Sequence, residues 1–405
     1  MSNSIKMPGE SGSTIIIQDD EQIDIANQKS DKVRNTQANS RGSGRRLVAL
    51  DAARGLAVIG MYLQHFGSNE TISAIVSGNT TLLFLLCGGI SYSIMAQRMK
   101  DRETETTMFP ARMLARAVFI DVIGYLLILL NTPYGVILPA YAAMFVLALV
   151  LVRCSTRTLV ITATILTVAA PPMMILGMSV LSGSYILYDI AGGPMSTLAL
   201  APAFVVGMAV GRLNLTKVRT ALSLAGIGGI ILAFGKMLST FVIPGLNRSF
   251  EAWLIGKQGT GSALPTPPDP NAIWPLNTEP PLWNLLFSTA PHSASMFQTL
   301  IGLGGALIVL GLVCLVAKKT SIVLRPFAAV GRVALTMYAV QFVVIWSLEL
   351  AGIEYSVSGI PFGELLVVAA TLVIGWLVAR LPNGPLESLM RHFDRAFSDY
   401  RKAEY

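Results

Sequence analysis

"LVALDAARGLAVIGMYLQHFG", residues Leu47 to Gly67, carries an aspartate, an arginine and a histidine inside a stretch otherwise apolar enough to cross a bilayer. A charged residue at the centre of a spanning helix costs roughly 2.5–3.5 kcal/mol on insertion scales. Asp51, Arg54 and His65 are therefore costly to keep. Eleven steps separate Arg54 from His65. That is about three helical turns, so the two side chains share a face about 16 Å apart along the axis. Asp51, three residues before Arg54, falls near the same stripe. One face thus presents an anion-binding cation toward one end and a titratable imidazole at the other. The competing reading is structural: an i, i+3 Asp–Arg pair, with Arg54 snorkelling to headgroups and His65 wetted at the far boundary.

The rest of the chain supplies the setting. Of 405 residues 53% are apolar and only 13% charged, with a mean hydropathy of +0.60. A soluble domain carries about 25% charged residues. The composition predicts an all-α integral membrane protein, multi-pass in the cell (plasma) membrane. At about 20 apolar residues per span, about ten transmembrane helices are expected. They fall at Leu47–Phe66, Thr80–Gln97, Met113–Leu130, Val136–Val152, Leu159–Leu181, Met195–Gly211, Ala221–Ile243, Ala294–Ala317, Phe327–Leu350 and Leu365–Leu381. Lys and Arg gather in alternate connections, which lands them on one side when both termini are cytoplasmic. The net charge of +7 is read as topology, not as a nucleic-acid partner.

Three regions follow. Residues 1–46 are polar and lack the apolar core of a signal peptide, which predicts a disordered cytoplasmic N-terminal tail. Residues 47–381 form the transmembrane domain. Within it, 244–292 is a long extracytoplasmic connection holding nine of the 21 prolines, and it is expected to be extended. Residues 382–405 form a cytoplasmic tail, with Leu386, Leu389, Met390, Phe393 and Phe397 on one helical face and Glu387, Arg391, Asp394 and Arg395 mostly opposite. That pattern predicts an amphipathic helix lying on the inner membrane surface. Cys87, Cys154 and Cys314 suggest apolar packing rather than a disulfide framework, and no metal-type spacing occurs.

Further polar residues extend the candidate site. "APHSAS" puts His292 at the outer mouth of the eighth span, on the same side as His65. Two histidines on one surface suit general-base or nucleophilic chemistry; a capping role for His292 after Pro291 is the alternative. Arg116 and Arg332 lie toward the inner side and would add to a phosphate site with Arg54 and Asp51, structural pairing being the competing role. Asp121, near mid-depth, pairs with an arginine or lines a polar cavity.

The segment "RRLVALDAARGLAVIGMYLQHFG" resembles the first helix of the transmembrane acyltransferase superfamily, in which arginine, ten residues and histidine recur. "TTLLFLLCGGISYSI", "GVILPAYAAMFVLAL", "VVGMAVGRLNL", "APHSAS" and "VGRVALTMYAVQF" resemble bacterial proteins of the heparan-α-glucosaminide N-acetyltransferase type. The resemblance runs from about Arg46 to about Arg395. It implies that acetyl-CoA, bound from the cytoplasm, donates an acetyl group to an extracytoplasmic glycan, amino sugar or glycolipid. Arg54 would hold CoA phosphates and His65 would meet the thioester. The sequence departs from the pattern twice. The animal lysosomal enzymes place their catalytic histidine in the loop after this helix, and the loop Phe66 to Asn79 contains none. Gln341 stands where the related acyltransferase family commonly has histidine.

The expected function is therefore a membrane acyltransferase that uses acetyl-CoA as donor and needs no metal, with a homo-oligomer left open. A transporter or flippase of a small acyl, sugar or lipid substrate, or a non-catalytic assembly protein, would suit part of the same pattern.

Overall fold

The computed structural model describes residues 48–100, 109–181, 185–258, 283–381 and 384–402. The tail 1–46 and the proline-dense stretch 259–282 lie outside the described residues. The first helix, α1, spans 48–66. Then come α2 (Glu70–Val76), α3 (Asn79–Lys100), α4 (Phe109–Ile128), α5 (Leu138–Leu151), α6 (Thr156–Val180), α7 (Tyr185–Ala191) and α8 (Thr197–Val210). The second half holds α9 (Val218–Met237), α10 (Ile243–Gln258), α11 (Met296–Lys319), α12 (Arg325–Arg332), α13 (Ala334–Leu350), α14 (Gly363–Val378) and α15 (Pro385–Lys402).

Helix occupies each of the ten expected stretches, the ninth as the pair α12–α13, bent by 76°. Length and apolarity alone qualify four helical segments among the described residues to cross a membrane, or five if the bent pair is one span. Helices α5, α8 and α14 are shorter but strongly apolar. Ile161 of α6, Ile230 of α9, Phe241 just beyond α9 and Leu365 of α14 stand exposed. So many large apolar side chains left exposed on several helices are stable only against lipid or another protein. The chain is a helical membrane protein.

Small residues let the helices meet backbone to backbone. A Cβ on Gly89 would fall 2.0 Å from the Phe204 carbonyl oxygen, and one on Gly331 would fall 1.7 Å from that of Asp51. Alanine at either position would force α3 from α8, or α1 from α12, as expected of membrane helix interfaces. Helix α1 runs through the interior: Ala52, Ala53, Ala57 and Val58 are fully buried. Its polar stripe consequently faces protein, not lipid.

Two expectations change. The connection from residue 244 is not extended at its start, because helix continues from α9 through a π-helical turn at Leu238–Val242 into α10. Pro244 follows the π-helical turn directly, where the regular i→i−4 ladder is already replaced, so its missing N–H breaks little. The tail does form a helix, α15, but it docks on protein. Its Glu387 carboxylate accepts from Leu335 N (2.8 Å), Thr336 N (3.1 Å) and the Thr336 hydroxyl (2.5 Å), capping the N-terminus of α13. Asp394 pairs with Arg116 of α4 at 2.7 Å. Both acids are buried, whereas Leu389 is exposed. The four unsatisfied N–H groups at a helix start attract a carboxylate, so residues of the expected polar face join Leu386, Met390 and Phe393 in docking the helix.

Candidate functional site

Helix α1 serves two cavities, one near each end, and no residue lines both. The first, at the Arg54 end, has a volume of about 440 Å³. Arg54, Arg98, Arg332 and Arg391 reach it from α1, α3, α12 and α15, against the single carboxylate of Asp51. Arg54 is held from three sides: Nη1 donates to Asp51 Oδ1 (3.1 Å) and to the Gly331 carbonyl (3.3 Å), and Nη2 donates to Ser91 Oγ (2.5 Å). The close approach at Gly331 brings that carbonyl within reach and places Arg332 beside the pair. Four guanidinium groups around one acid make a site for a polyanion, because the planar fork matches phosphate oxygens in pairs.

Arg116 does not line this cavity. Its Nε is bound to Asp394, and its Nη1 lies against Met95 Sδ (2.8 Å). The structural role weighed for it is the one its contacts fit. Burial pushes the Asp394 carboxyl above its ordinary range, outweighing the opposite pull of Arg116.

The second cavity, of about 20 Å³, lies at the other end of α1 and brings together His65 and His292. The His65 ring stacks on Tyr134 at 4.0 Å, with Phe342 edge-on at 6.0 Å. Its Nδ1 is buried without a hydrogen-bond partner. His292 is buried and differently occupied: Gln64 Nε2 donates to His292 Nε2 at 2.9 Å. His292 and Ala294 both have left-handed backbone, φ +57° and +49°. Such strain in non-glycine residues persists only where surroundings over-determine it. Here Trp283 and Leu286 pack against the buried cluster that contains Ala294, and the Ser295 hydroxyl caps α11 by accepting from Gln298 N (3.1 Å). Gln341 completes the chamber, fully buried, with neither amide atom partnered.

The structure thus gathers Asp51, Arg54 and Arg332 at one end and His65 with His292 at the other. Arg98 and Arg391 were missed as binding residues. Arg98 reads as a topological charge beside the bilayer, and Arg391 as the polar face of a surface helix. Of the three tryptophans in the 244–292 connection, Trp253 is exposed and stacks on Phe250, Trp283 packs inward, and Trp274 lies outside the described residues. His392 is exposed against its own helix, Nδ1 to Ser388 O at 2.8 Å. Among the described residues Asp121 pairs with no arginine. With Tyr125 and Asp189 it lines a separate, largely apolar cleft of about 900 Å³ between α4, α5 and α7, where Tyr125 donates to Asp189. Among the described residues no group of three or more His, Cys, Asp or Glu could hold a metal.

This is a helical membrane protein with a cationic cavity and a histidine chamber threaded on one helix. Residues 275–395, less than a third of the chain, match a family model described as "Protein of unknown function (DUF418)". No curated protein matches the chain. The matched segment contains His292, Arg332, Gln341, Glu387 and Arg391 but leaves out α1.

Proposed function

We propose that the protein is an integral-membrane acyltransferase that carries an acyl group, acetyl in the simplest case, from cytoplasmic CoA thioester to an extracytoplasmic glycan or glycolipid. One observation carries the reading: a single buried helix presents four-arginine surroundings at one end and an unpartnered imidazole nitrogen about three turns further on. CoA matches that division, with several phosphates at one end and a reactive thioester on a long thin arm. The arginine cavity would hold the phosphates, and His65 would act as general base at the thioester. The two cavities are separate as folded, so the arm must part side chains along α1 to reach His65. The placement of the arginine end on the cytoplasmic side of a plasma membrane rests on the basic connections. The heparan-α-glucosaminide N-acetyltransferase resemblance supports the donor more than the acceptor.

The test is binding of CoA to the purified full chain in nanodiscs. Micromolar-range affinity is expected, falling roughly 10- to 100-fold in Arg54→Ala, since a hydrogen bond to a charged group contributes about 1.5–3 kcal/mol. Absence of binding, or equal binding by Arg54→Ala, would defeat the proposal.

The break between α12 and α13 favours a second reading, because discontinuous helices beside a buried site are a transporter feature. Transport predicts substrate flux that survives His65→Ala.

A further inference from the structure

We infer that Gln341 and His65 together hold a hydroxyl oxygen of the acceptor, so that the transfer makes an ester and not an amide. The inference rests on the acyltransferase reading and narrows its substrate class. Gln341 is fully buried in α13, yet neither its Oε1 nor its Nε2 has a partner, and both belong to the chamber that His65 lines. A buried polar atom left unsatisfied costs about 1–3 kcal/mol. Two such atoms beside an unpartnered imidazole nitrogen mark a place kept for something polar.

Size and hydrogen-bond sense narrow the occupant. About 20 Å³ admits one oxygen-sized group. To satisfy two of these three atoms it must accept from Gln341 Nε2 and donate its one proton to Gln341 Oε1 or His65 Nδ1. A thioester carbonyl only accepts; a hydroxyl does both. An amino group both donates and accepts only as the free base; in the protonated form that prevails at neutral pH it only donates, and it brings a full charge into a buried place. None of the residues lining the chamber is acidic, so nothing there offsets the desolvation of that charge. A neutral sugar hydroxyl meets every condition.

The step then balances without any further reagent. The hydroxyl oxygen attacks the carbonyl carbon of the acyl thioester, the C–O bond forms and the C–S bond breaks. The hydroxyl proton passes to His65 Nδ1 and from there to the departing thiolate, leaving an ester and free CoA thiol. Gln341 positions the oxygen and stabilises the charge that develops next to it.

Membranes containing the full chain, supplied with acetyl-labelled CoA, test this on their own endogenous acceptors. The label counted is that found with the wild type and lost with His65→Ala. It should be released by mild alkali or hydroxylamine, as O-esters are. Gln341→Leu should lower it on the order of 10²-fold while CoA affinity, which reports folding and the distant arginine cavity, stays unchanged. Histidine-dependent label that resists alkali would mean an amide, and would overturn the inference while acyl transfer stood. Full labelling by Gln341→Leu would overturn it as well. With no histidine-dependent label at all, the acyltransferase reading itself falls and takes the inference with it.

Discussion

The two ends of α1 are built on opposite principles. At the arginine end the cavity is roomy, strongly cationic and internally bonded: Asp51, Gly331 and Ser91 hold Arg54 in place. At the histidine end the chamber has room for about one water molecule, carries no formal carboxylate or guanidinium, and leaves three buried polar atoms without partners. Charge attracts a ligand over distances comparable to the Debye length, about 8 Å at physiological salt. Unpaired neutral donors and acceptors act only at contact and only where water is kept out. The contrast teaches that one end is made to capture and the other to orient.

The sharpest way to break the contrast is His65→Ala. Acyl transfer should fall about 10²- to 10⁴-fold, as loss of a general base does, with CoA affinity changed less than twofold; a matching loss of affinity would mean the two ends are not separate in role. Arg391→Ala should do the reverse. It should weaken CoA binding by roughly 5- to 10-fold, and the wild-type affinity should itself decline as salt is raised from 50 to 500 mM. An unchanged affinity in titration calorimetry would remove α15 from the cationic cavity.

Glu387→Ala asks whether that helix is a wall of the cavity or only a neighbour. Losing a carboxylate that caps α13 should cost about 1–2 kcal/mol of stability, read as a lower thermal midpoint in detergent and faster proteolysis after residue 380. The smallest effect concerns Asp394. Its folded-state carboxyl lies above the ordinary value of 3.8 because of burial, so the folded chain binds that proton more tightly than the unfolded chain. Its contribution to stability is complete below that value and is lost as pH rises through the higher folded one. Wild type should therefore lose more stability than Asp394→Asn between pH 4 and pH 7, and parallel melting curves would reject the burial argument.

How far these features could be read from the chain depended on whether the signal was local. The ten helical stretches and the shared face of Arg54 and His65 follow from hydropathy and a 3.6-residue period. The docking of α15 did not, because periodicity sorts carboxylates to the solvent side. It has no way to register that Glu387 meets the N–H groups at the start of α13, or that Asp394 meets Arg116. Pro244 misled for a related reason: proline opposes regular helix in general but is accommodated directly after a π-helical turn, and only the backbone shows that such a turn precedes it. Gln341 was noticed as a departure from a histidine, yet its lack of partners is a property of the packed chamber alone.

Sequence by itself determined that the chain is an apolar, helical membrane protein with an ionisable stripe on its first long helix, since insertion cost and helical spacing depend on residues near one another in the chain. Only the tertiary structure decided what surrounds that stripe. Arg98 comes to Arg54 from α3, while Arg332 and Arg391 come to Arg54, and His292 and Gln341 to His65, across hundreds of residues, through glycine contacts and a docked terminal helix. Burial and the pairing of polar atoms are properties of those assembled neighbours, and no segment carries them alone.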